Sequence, residues 1–271
     1  MKLASFLFLT LLLAGCASGP HIDDSLRAQG QSSRVQYIVL HYTSADLQRS
    51  LALLTLGEVS AHYLIGEEPA TIYRLVDEER RAWHAGDSTW QGRTWLNASS
   101  LGIELVNEGY RDGPAGRQWQ PYDEAQIQAL IALLKDLVQR HELPPDSIIG
   151  HSDIAPQRKV DPGPLFPWHR LAREGLIPWP DDAQVGVRQR LFAAVGLPPI
   201  AWFQERLARL GYRVPAHGEL DEATQKVLAA FQMKYRPSRY DGQPDAETAA
   251  LLQVLAPAPV VELADAEAVD R

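Results

Sequence analysis

Hydrophobic and polar residues follow two different periods along this chain, and together they predict a mixed α/β fold. Apolar residues at i, i+3, i+4 spacing from Ile127 to Val138 predict an amphipathic helix. Asp123 precedes it as an N-cap, with Gln126 three residues on, which is the spacing of a capping box. Short apolar runs predict buried strands at 35–40, 101–106 and 147–149. We therefore expect a central mixed sheet flanked by helices.

Turn-forming residues bound the shorter elements in the first part of the chain. A helix is predicted over 45–56, because Gly57 follows it in the position expected after a helix C-terminus. The runs 61–65 and 71–76 predict a hairpin joined through a Gly-Glu-Glu-Pro turn. Segments rich in glycine, proline and small polar residues predict surface loops at 87–100 and 111–119.

A short internal repeat predicts a separate helical unit in the last third of the chain. Gly218–Thr224 matches Gly242–Thr248, and each copy leads into an apolar helix with Asp221 or Asp245 as its N-cap. The predicted helices span 200–210, 222–231 and 246–255. We expect these to form a small three-helix bundle.

The N-terminus carries a targeting signal. Lys2 precedes an apolar run, Leu3–Leu13, that is too short to span a bilayer. Leu13-Ala14-Gly15-Cys16 then resembles a bacterial lipoprotein signal, in which the cysteine becomes the lipidated N-terminus. No aspartate follows Cys16 directly, and this favours anchoring in the outer membrane. An ordinary secretory signal with an incidental cysteine is the alternative.

Composition and charge narrow the class of protein. The chain is 45% hydrophobic and 22% charged, as in ordinary globular proteins. Its net charge of -8 argues against a nucleic-acid partner, which would need a basic face.

We divide the chain into a signal peptide (1–15), a lipidated flexible tether (16–33), an α/β domain (34–180), a helical domain (181–255) and a disordered tail (256–271).

Two strand ends and one stiff loop offer metal-ligand chemistry. His41 ends the first predicted strand, and His151 follows the strand at 147–149. Asp161 lies in a loop that prolines make rigid. Two imidazoles and a carboxylate are zinc ligands, and a catalytic zinc needs three protein ligands with a fourth position open. From spacing alone, a pair of satisfied, non-ligating histidines stays an alternative.

Five motifs occur in a fixed order between about 35 and 180: Leu40-His41-Tyr42-Thr43, Ser60–Ile65, Trp83-His84-Ala85-Gly86, Leu101-Gly102-Ile103-Glu104-Leu105 and Gly150-His151-Ser152-Asp153-Ile154-Ala155-Pro156. Together they resemble the zinc-dependent N-acetylmuramoyl-L-alanine amidases of the AmpD/AmiD kind, which share a fold with the peptidoglycan recognition proteins. The resemblance implies one zinc ion per chain, held by His41, His151 and Asp161.

The resemblance also implies roles for other side chains, each with a plainer alternative. Glu104 is implied as the general base, against an ion-paired glutamate at the sheet edge. Lys159 is implied as a stabiliser of the oxyanion, against an ordinary surface lysine. His84 is placed beside the bound peptide rather than capping the core, and Asn97 holds either a loop or the substrate. We expect His62 to be structural.

These observations predict a lipid-anchored periplasmic enzyme at the inner face of the outer membrane. It would hydrolyse the amide between N-acetylmuramic acid and L-alanine in peptidoglycan and muropeptides, and we expect it to act as a monomer. The helical domain resembles a peptidoglycan-binding module, and a module that only packs is the alternative. A non-catalytic wall-binding lipoprotein and a zinc peptidase that cuts within the stem peptide are the rival functions.

Overall fold

A computed structural model describes residues 20–114 and 116–257. The signal peptide, Cys16 and residues 258–271 of the predicted tail lie outside the described residues. The described residues divide into two units after residue 32, and residues 20–32 of the first unit contain no helix or strand. Along the described part of the second unit, no helix combines the length and apolar character that a bilayer crossing requires.

The strands of the second unit, in chain order, are β1 (Tyr37–Tyr42), β2 (Tyr63–Ile65), β3 (Ile72–Arg74), β4 (Thr89–Trp90), β5 (Arg93–Thr94), β6 (Ser100–Leu105), β7 (Tyr110–Gly113), β8 (Gly116–Trp119) and β9 (Ile148–Gly150). The helices are α1 (Leu47–Leu56), α2 (Glu124–His141), α3 (His151–Ile154), α4 (Trp168–Arg173), α5 (Asp182–Val195), α6 (Ile200–Leu210), α7 (Glu222–Tyr235) and α8 (Ala246–Leu255). Short 3-10 turns cover 96–98 and 145–147.

The central sheet has the order β3-β2-β6-β1-β9. Strands β2, β6, β1 and β9 run parallel, and β3 pairs antiparallel with β2 at one edge. The predicted mixed sheet is therefore confirmed, and so is the hairpin between β2 and β3. The strand that carries Glu104, β6, lies in the middle of the sheet.

The two faces of the sheet have different neighbours, because side chains alternate along each strand. Ile38 and Leu40 belong to one buried cluster with Leu130 and Leu134 of α2. Val39 points the other way and belongs to a second cluster that also contains Phe203 and Phe231 of the C-terminal helices and Leu96. His41 follows Val39 by two residues, so it lies on the face away from α2.

The start of α2 differs from the predicted capping box. The Asp123 side chain makes no cap hydrogen bond. Gln126 is fully buried, and its Nε2 donates to the carbonyls of Ile65 (3.0 Å) and Val106 (2.9 Å). Those carbonyls lie at the end of β2 and just after β6, so Gln126 joins the helix to the sheet instead of capping the helix.

Two predicted loops contain regular structure. Residues 111–119 form most of the β7–β8 hairpin, and 87–100 contains the β4–β5 hairpin. The stiff loop predicted from Gly150 onward begins with the single helical turn α3. Glycine and proline mark turns in a sequence, but they do not separate an irregular loop from a tight hairpin.

The predicted C-terminal helices are present as α6, α7 and α8, and α5 precedes them. Asp221 and Asp245 are N-caps as predicted, each accepting from a threonine amide at 2.8 Å. The internal repeat extends to the contacts: Gln204 and Gln232 donate to Thr224 and Thr248 respectively, at 2.9 and 3.1 Å. Helix α5 was not predicted as a separate element, because only Val185 and Phe192 are buried along it.

Candidate active site

Three side chains from β1, α3 and the following loop converge on the face of the sheet away from α2. His41 Nδ1 lies 2.9 Å from His151 Nδ1 and 3.1 Å from Asp161 Oδ2. His151 Nδ1 lies 3.0 Å from the same Asp161 oxygen. All three residues are buried. The predicted ligand set is therefore brought together at one point.

Hydrogen bonds behind His41 fix its tautomer. Ser100 Oγ donates to the carbonyl of Leu96 (2.7 Å), so it accepts from His84 Nε2 at 3.2 Å. Burial and the neighbouring His41 keep the pKa of His84 well below its ordinary value, so a neutral His84 has a bare Nδ1. His41 Nε2 donates to that nitrogen at 3.1 Å. The lone pair of His41 is thereby left on Nδ1.

The same reasoning applies to His151. Its Nε2 lies 3.2 Å from the carbonyl of Ala85, which can only accept, and 3.4 Å from Arg158 Nη2, which can only donate; the shorter contact favours a hydrogen on Nε2. Arg158 also donates to the Ala85 carbonyl and to that of Asp87, which ties the two loops together. A neutral His151 thus presents a bare Nδ1 to its neighbours. The backbone supplies the orienting contact that metal-ligating histidines usually have.

Two nitrogen lone pairs and a carboxylate oxygen therefore face one another at about 3 Å. Burial lowers the pKa of His41 to about 4, helped by His151, so His41 carries no charge at neutral pH. Burial would raise the pKa of Asp161, but His151 and His41 outweigh it and hold that pKa below its ordinary value. The two nitrogen lone pairs and the carboxylate oxygen repel one another at this distance unless a cation lies between them. Ligands at ~2.0–2.1 Å in a tetrahedron are about 3.3 Å apart, so the residues fit zinc.

Sequence comparison identifies the class of protein that carries this site. The family model of N-acetylmuramoyl-L-alanine amidase matches residues 31–164, and that of a peptidoglycan binding domain matches residues 197–252. The N-acetylmuramoyl-L-alanine amidase AmiD of Escherichia coli K12 is 43% identical over 264 residues, which cover 90% of this chain and 94% of AmiD.

The chain belongs to the N-acetylmuramoyl-L-alanine amidase family.

Solved structures of amidases agree over nearly the whole chain. The complex of Escherichia coli AmiD with anhydro-N-acetylmuramic acid-L-Ala-D-gamma-Glu-L-Lys has a TM-score of 0.79 at 42% identity, covering 88% of this chain and 94% of that one. AmpDh3 of Pseudomonas aeruginosa in complex with an anhydromuramic pentapeptide has a TM-score of 0.80 at 42% identity, covering 86% and 96%. The fold class, including a C-terminal helical region, is shared with both amidases.

Glu104 faces the same cleft of this amidase as His41, His151 and Asp161. It pairs in register with His41 across β6 and β1, and both residues line a cleft of about 440 Å³. Its Oε2 is buried and has no hydrogen-bond partner within the described chain. Burial, and then the charge of Asp161, raise the pKa of Glu104 to about 8, while Lys159 acts in the opposite direction. A carboxylate with a free oxygen and a pKa near neutrality can accept and return a proton.

Lys159 lines this cleft as well, and the described residues offer it no salt bridge. It is partly exposed, and its positive charge lowers the pKa of both Glu104 and His41. A cation without a paired acid is available to stabilise negative charge on a bound substrate. The predicted position of Lys159 in the site therefore agrees with the structure, and its role stays a prediction.

His84 lines the cleft and also supports His41, whereas Asn97 is not among the described residues that line the cleft. His84 is largely buried in the cleft wall, and its ring centroid lies 5.2 Å from that of His41. Its contact with the bound peptide stays a prediction. Asn97 is buried, and its Oδ1 accepts from the amides of His84 (3.1 Å) and Ala85 (2.8 Å). His84 orients His41, and Asn97 holds the loop that carries His84. Of the two roles left open for Asn97, the structure supports the loop.

Gly102 and His62, two further residues of the five motifs, both lie near His84. A Cβ on Gly102 would lie 2.4 Å from the His84 ring, so only glycine leaves room for the ring there. His62 is buried, and its Nδ1 accepts from the Gly102 amide at 3.0 Å. His62 is therefore structural, as predicted. The neighbouring Trp83 is 51% exposed and lines the cleft together with His84, as the resemblance implied for this loop.

Proposed function

We propose that this amidase is a zinc enzyme that hydrolyses the amide bond between N-acetylmuramic acid and the L-alanine of the stem peptide, in peptidoglycan and its soluble fragments. One observation carries the proposal: two imidazole lone pairs and a carboxylate converge in a cleft that Glu104 also faces. The family membership and the ligand named in the AmiD structure support the substrate class. His41, His151 and Asp161 would hold the metal.

Zinc in this site would polarise the scissile carbonyl and lower the pKa of water. The chain supplies the remaining chemistry. Glu104 takes the proton of the attacking water and gives it to the alanine nitrogen as the C–N bond breaks, so its carboxylate is regenerated. A dication held by Asp161 would offset the second cause of the raised Glu104 pKa. The pKa would then fall toward neutrality, where a shuttle works best.

Lys159 stabilises the negative charge that develops on the carbonyl oxygen during attack. A cation fixed near that oxygen lowers the barrier because the interaction strengthens as the charge develops. His84 and the Ala85 carbonyl act one step further away, since they fix which nitrogen each ligating histidine presents.

The decisive experiment treats purified muropeptides with the purified protein, with and without a zinc chelator, and weighs the products by mass spectrometry. We expect release of an intact stem peptide with a free L-alanine amine, loss of that release on chelation, and recovery when zinc returns. Products cut within the stem peptide would show a zinc peptidase. Zinc-loaded protein that cuts nothing but sediments with peptidoglycan sacculi would favour the wall-binding function.

We also propose that Cys16 is lipidated and that the enzyme lies in the periplasm at the inner face of the outer membrane. Lys2, the apolar run up to Leu13 and the Leu-Ala-Gly-Cys sequence support this. The tether at 16–33 would let the catalytic unit reach the wall as a monomer. A Cys16→Ser chain should leave the membrane fraction on cell fractionation, and a chain that stays there unchanged would contradict the anchor.

The helical region is proposed to bind peptidoglycan. The family match over 197–252 supports this role. Sedimentation with sacculi, measured for a chelated and therefore inactive enzyme, separates wall binding from turnover. Retention of the inactive enzyme supports the role, and its recovery in the supernatant would leave the region a packing module.

A further inference from the structure

A buried ion pair joins the helical region to the segment that carries His151. Lys234 of α7 places its Nζ 3.0 Å from Asp153 Oδ2, and the two side chains are 7% and 1% exposed. Tyr212, which follows α6, donates to the other oxygen of Asp153 at 2.7 Å. Both donors come from the last third of the chain, and the acceptor lies two residues after a metal ligand.

Asp153 also holds the backbone turn that contains His151, so the ion pair is connected to the proposed metal site. Its Oδ2 accepts from the amide of Gly150 at 2.9 Å, across the turn that contains His151. The carboxylate thus closes the helical turn α3 on itself, with His151 as its first residue. The His151 backbone is held between Gly150 and Asp153, so its imidazole can reach His41 and Asp161 only while that turn keeps its shape.

A buried lysine at position 234 lowers the stability of the fold unless its charge is paired. Removing an ammonium from water costs several kcal/mol, and an apolar side chain would fill the same space without that cost. Burial lowers the pKa of Lys234, but Asp153 outweighs it and the pKa stays above its ordinary value, so the side chain remains charged. The Nζ also lies 4.3 Å from the centroid of the Trp168 ring. The lysine fixes one orientation of the Asp153 carboxylate, which an apolar residue would not do.

We propose that Lys234 is a positioning residue of the metal centre: by holding Asp153, the helical region sets the geometry of His151. The region is then part of the catalytic architecture, in addition to any binding of the wall. This inference rests on the proposed metal site. It predicts that changes at α7 alter zinc affinity and the turnover of small soluble muropeptides, which have no need of a wall-binding module.

The test compares the full-length protein with its Lys234→Met variant, which keeps the side-chain volume and removes the charge. Zinc Kd is measured by competition with a chromophoric chelator, and hydrogen exchange of the 148–161 segment is followed in the metal-free protein. We expect a zinc Kd about tenfold weaker, at the low end of the effect of partners behind metal ligands. The Gly150 amide should exchange faster, and kcat/KM on a soluble muropeptide should fall.

Lys226→Met is the matched control, because Lys226 lies on the same helix and its one salt bridge within the described residues is with Glu222, at 2.7 Å on the surface. It should leave zinc Kd and exchange at Gly150 unchanged. If Lys234→Met does not fold, Tyr212→Phe replaces it, since that change removes one hydrogen bond to Asp153 and keeps the ring. A weaker zinc Kd in that variant supports the proposal, and an unchanged one overturns it.

The outcomes separate this proposal from the function on which it rests. A parent protein that binds zinc, with a folded Lys234→Met variant of equal zinc Kd and equal Gly150 exchange, overturns the positioning role alone. A parent protein that binds no zinc overturns both the proposed function and this inference.

Discussion

His41 and Glu104 are register partners on the adjacent parallel strands β1 and β6. Partners in register point to the same face, so the first metal ligand and the proposed base have their backbones fixed by the central part of the sheet. The helical turn α3 supplies His151 and the loop after it supplies Asp161, whereas Glu104 and His41 lie on neighbouring strands inside the central sheet. This arrangement favours a fixed distance between the water-activating site and the base.

Replacing Glu104 by glutamine should abolish most of the activity without loss of the metal. Glutamine keeps the shape of the side chain but cannot accept the proton, and general-base catalysis is worth about 10²–10⁴-fold. We expect kcat to fall by that factor, with zinc content unchanged by elemental analysis. Glu79→Gln, at an exposed position, is the control and should keep full activity. An active Glu104→Gln enzyme would show that another group is the base.

The metal-free protein should become less stable as the pH rises, through Glu104. Burial raises its pKa to about 8, above the ordinary value for glutamate of 4.5, so the folded state binds its proton more tightly than the unfolded state does. That contribution is fully present below pH 4.5 and is lost as the pH rises through about 8. Glu104→Gln should therefore raise the Tm of the chelated protein more at pH 8.5 than at pH 5. Equal Tm differences at both pH values would contradict the shift.

Gly102→Ala should lower stability and weaken zinc binding, because it displaces His84, which supports His41. The added Cβ would meet the His84 ring at 2.4 Å, and the ring holds the tautomer of His41. Overpacking of this kind costs about 1–3 kcal/mol, and displacement of His84 should weaken zinc about 10–100-fold. Chemical denaturation and chelator competition measure the two effects. Gly186→Ala is the control, since its Cβ meets nothing closer than 3.6 Å, and it should not lower stability.

The choice between loop and substrate for Asn97 can be tested by two substitutions. Asn97→Ala leaves the buried amides of His84 and Ala85 without an acceptor, at a cost of about 1–3 kcal/mol for each unsatisfied group. Asn97→Asp keeps an acceptor oxygen and should keep more of the stability. Because Asn97 holds the loop, we expect both folded variants to retain the parental KM. A large increase in KM for Asn97→Asp with unchanged stability would point to substrate contact instead.

The site residues that could be predicted are those whose chemistry depends on strand ends. His41 and His151 end or follow apolar strands, and Asp161 lies in a proline-stiffened loop, so local pattern and family resemblance were enough to propose the set. The position of His84 behind His41 could not be predicted. A histidine on a glycine-bearing loop can line a cleft or support a buried neighbour, and the backbone path lets His84 do both.

Long-range contacts between the two parts of the chain were also beyond the sequence pattern. Lys234 occupies a helical position where lysine normally faces solvent, and its partner Asp153 is 81 residues away. The β7–β8 hairpin was predicted as a loop because Gly113 and Pro114 mark a turn without showing that the flanking residues pair. The turn in the hairpin was marked correctly, but the burial of Lys234 ran against its local signal, and in both cases tertiary structure decided the pairing.

Lys159→Met should lower kcat and also change its pH dependence. Loss of a cation that stabilises the developing oxyanion costs about 10²–10³-fold in kcat. The charge of Lys159 lowers the pKa of Glu104, so removing it should raise that pKa. Glu104 must be ionised to act as the base. The acid limb of the pH profile of kcat/KM should therefore move to higher pH in Lys159→Met, and Lys159→Arg, which keeps the charge, should leave the limb near its parental position.

A lower kcat with an unmoved acid limb in Lys159→Met would place Lys159 away from the base. Parental kcat in that variant would leave it an ordinary surface lysine.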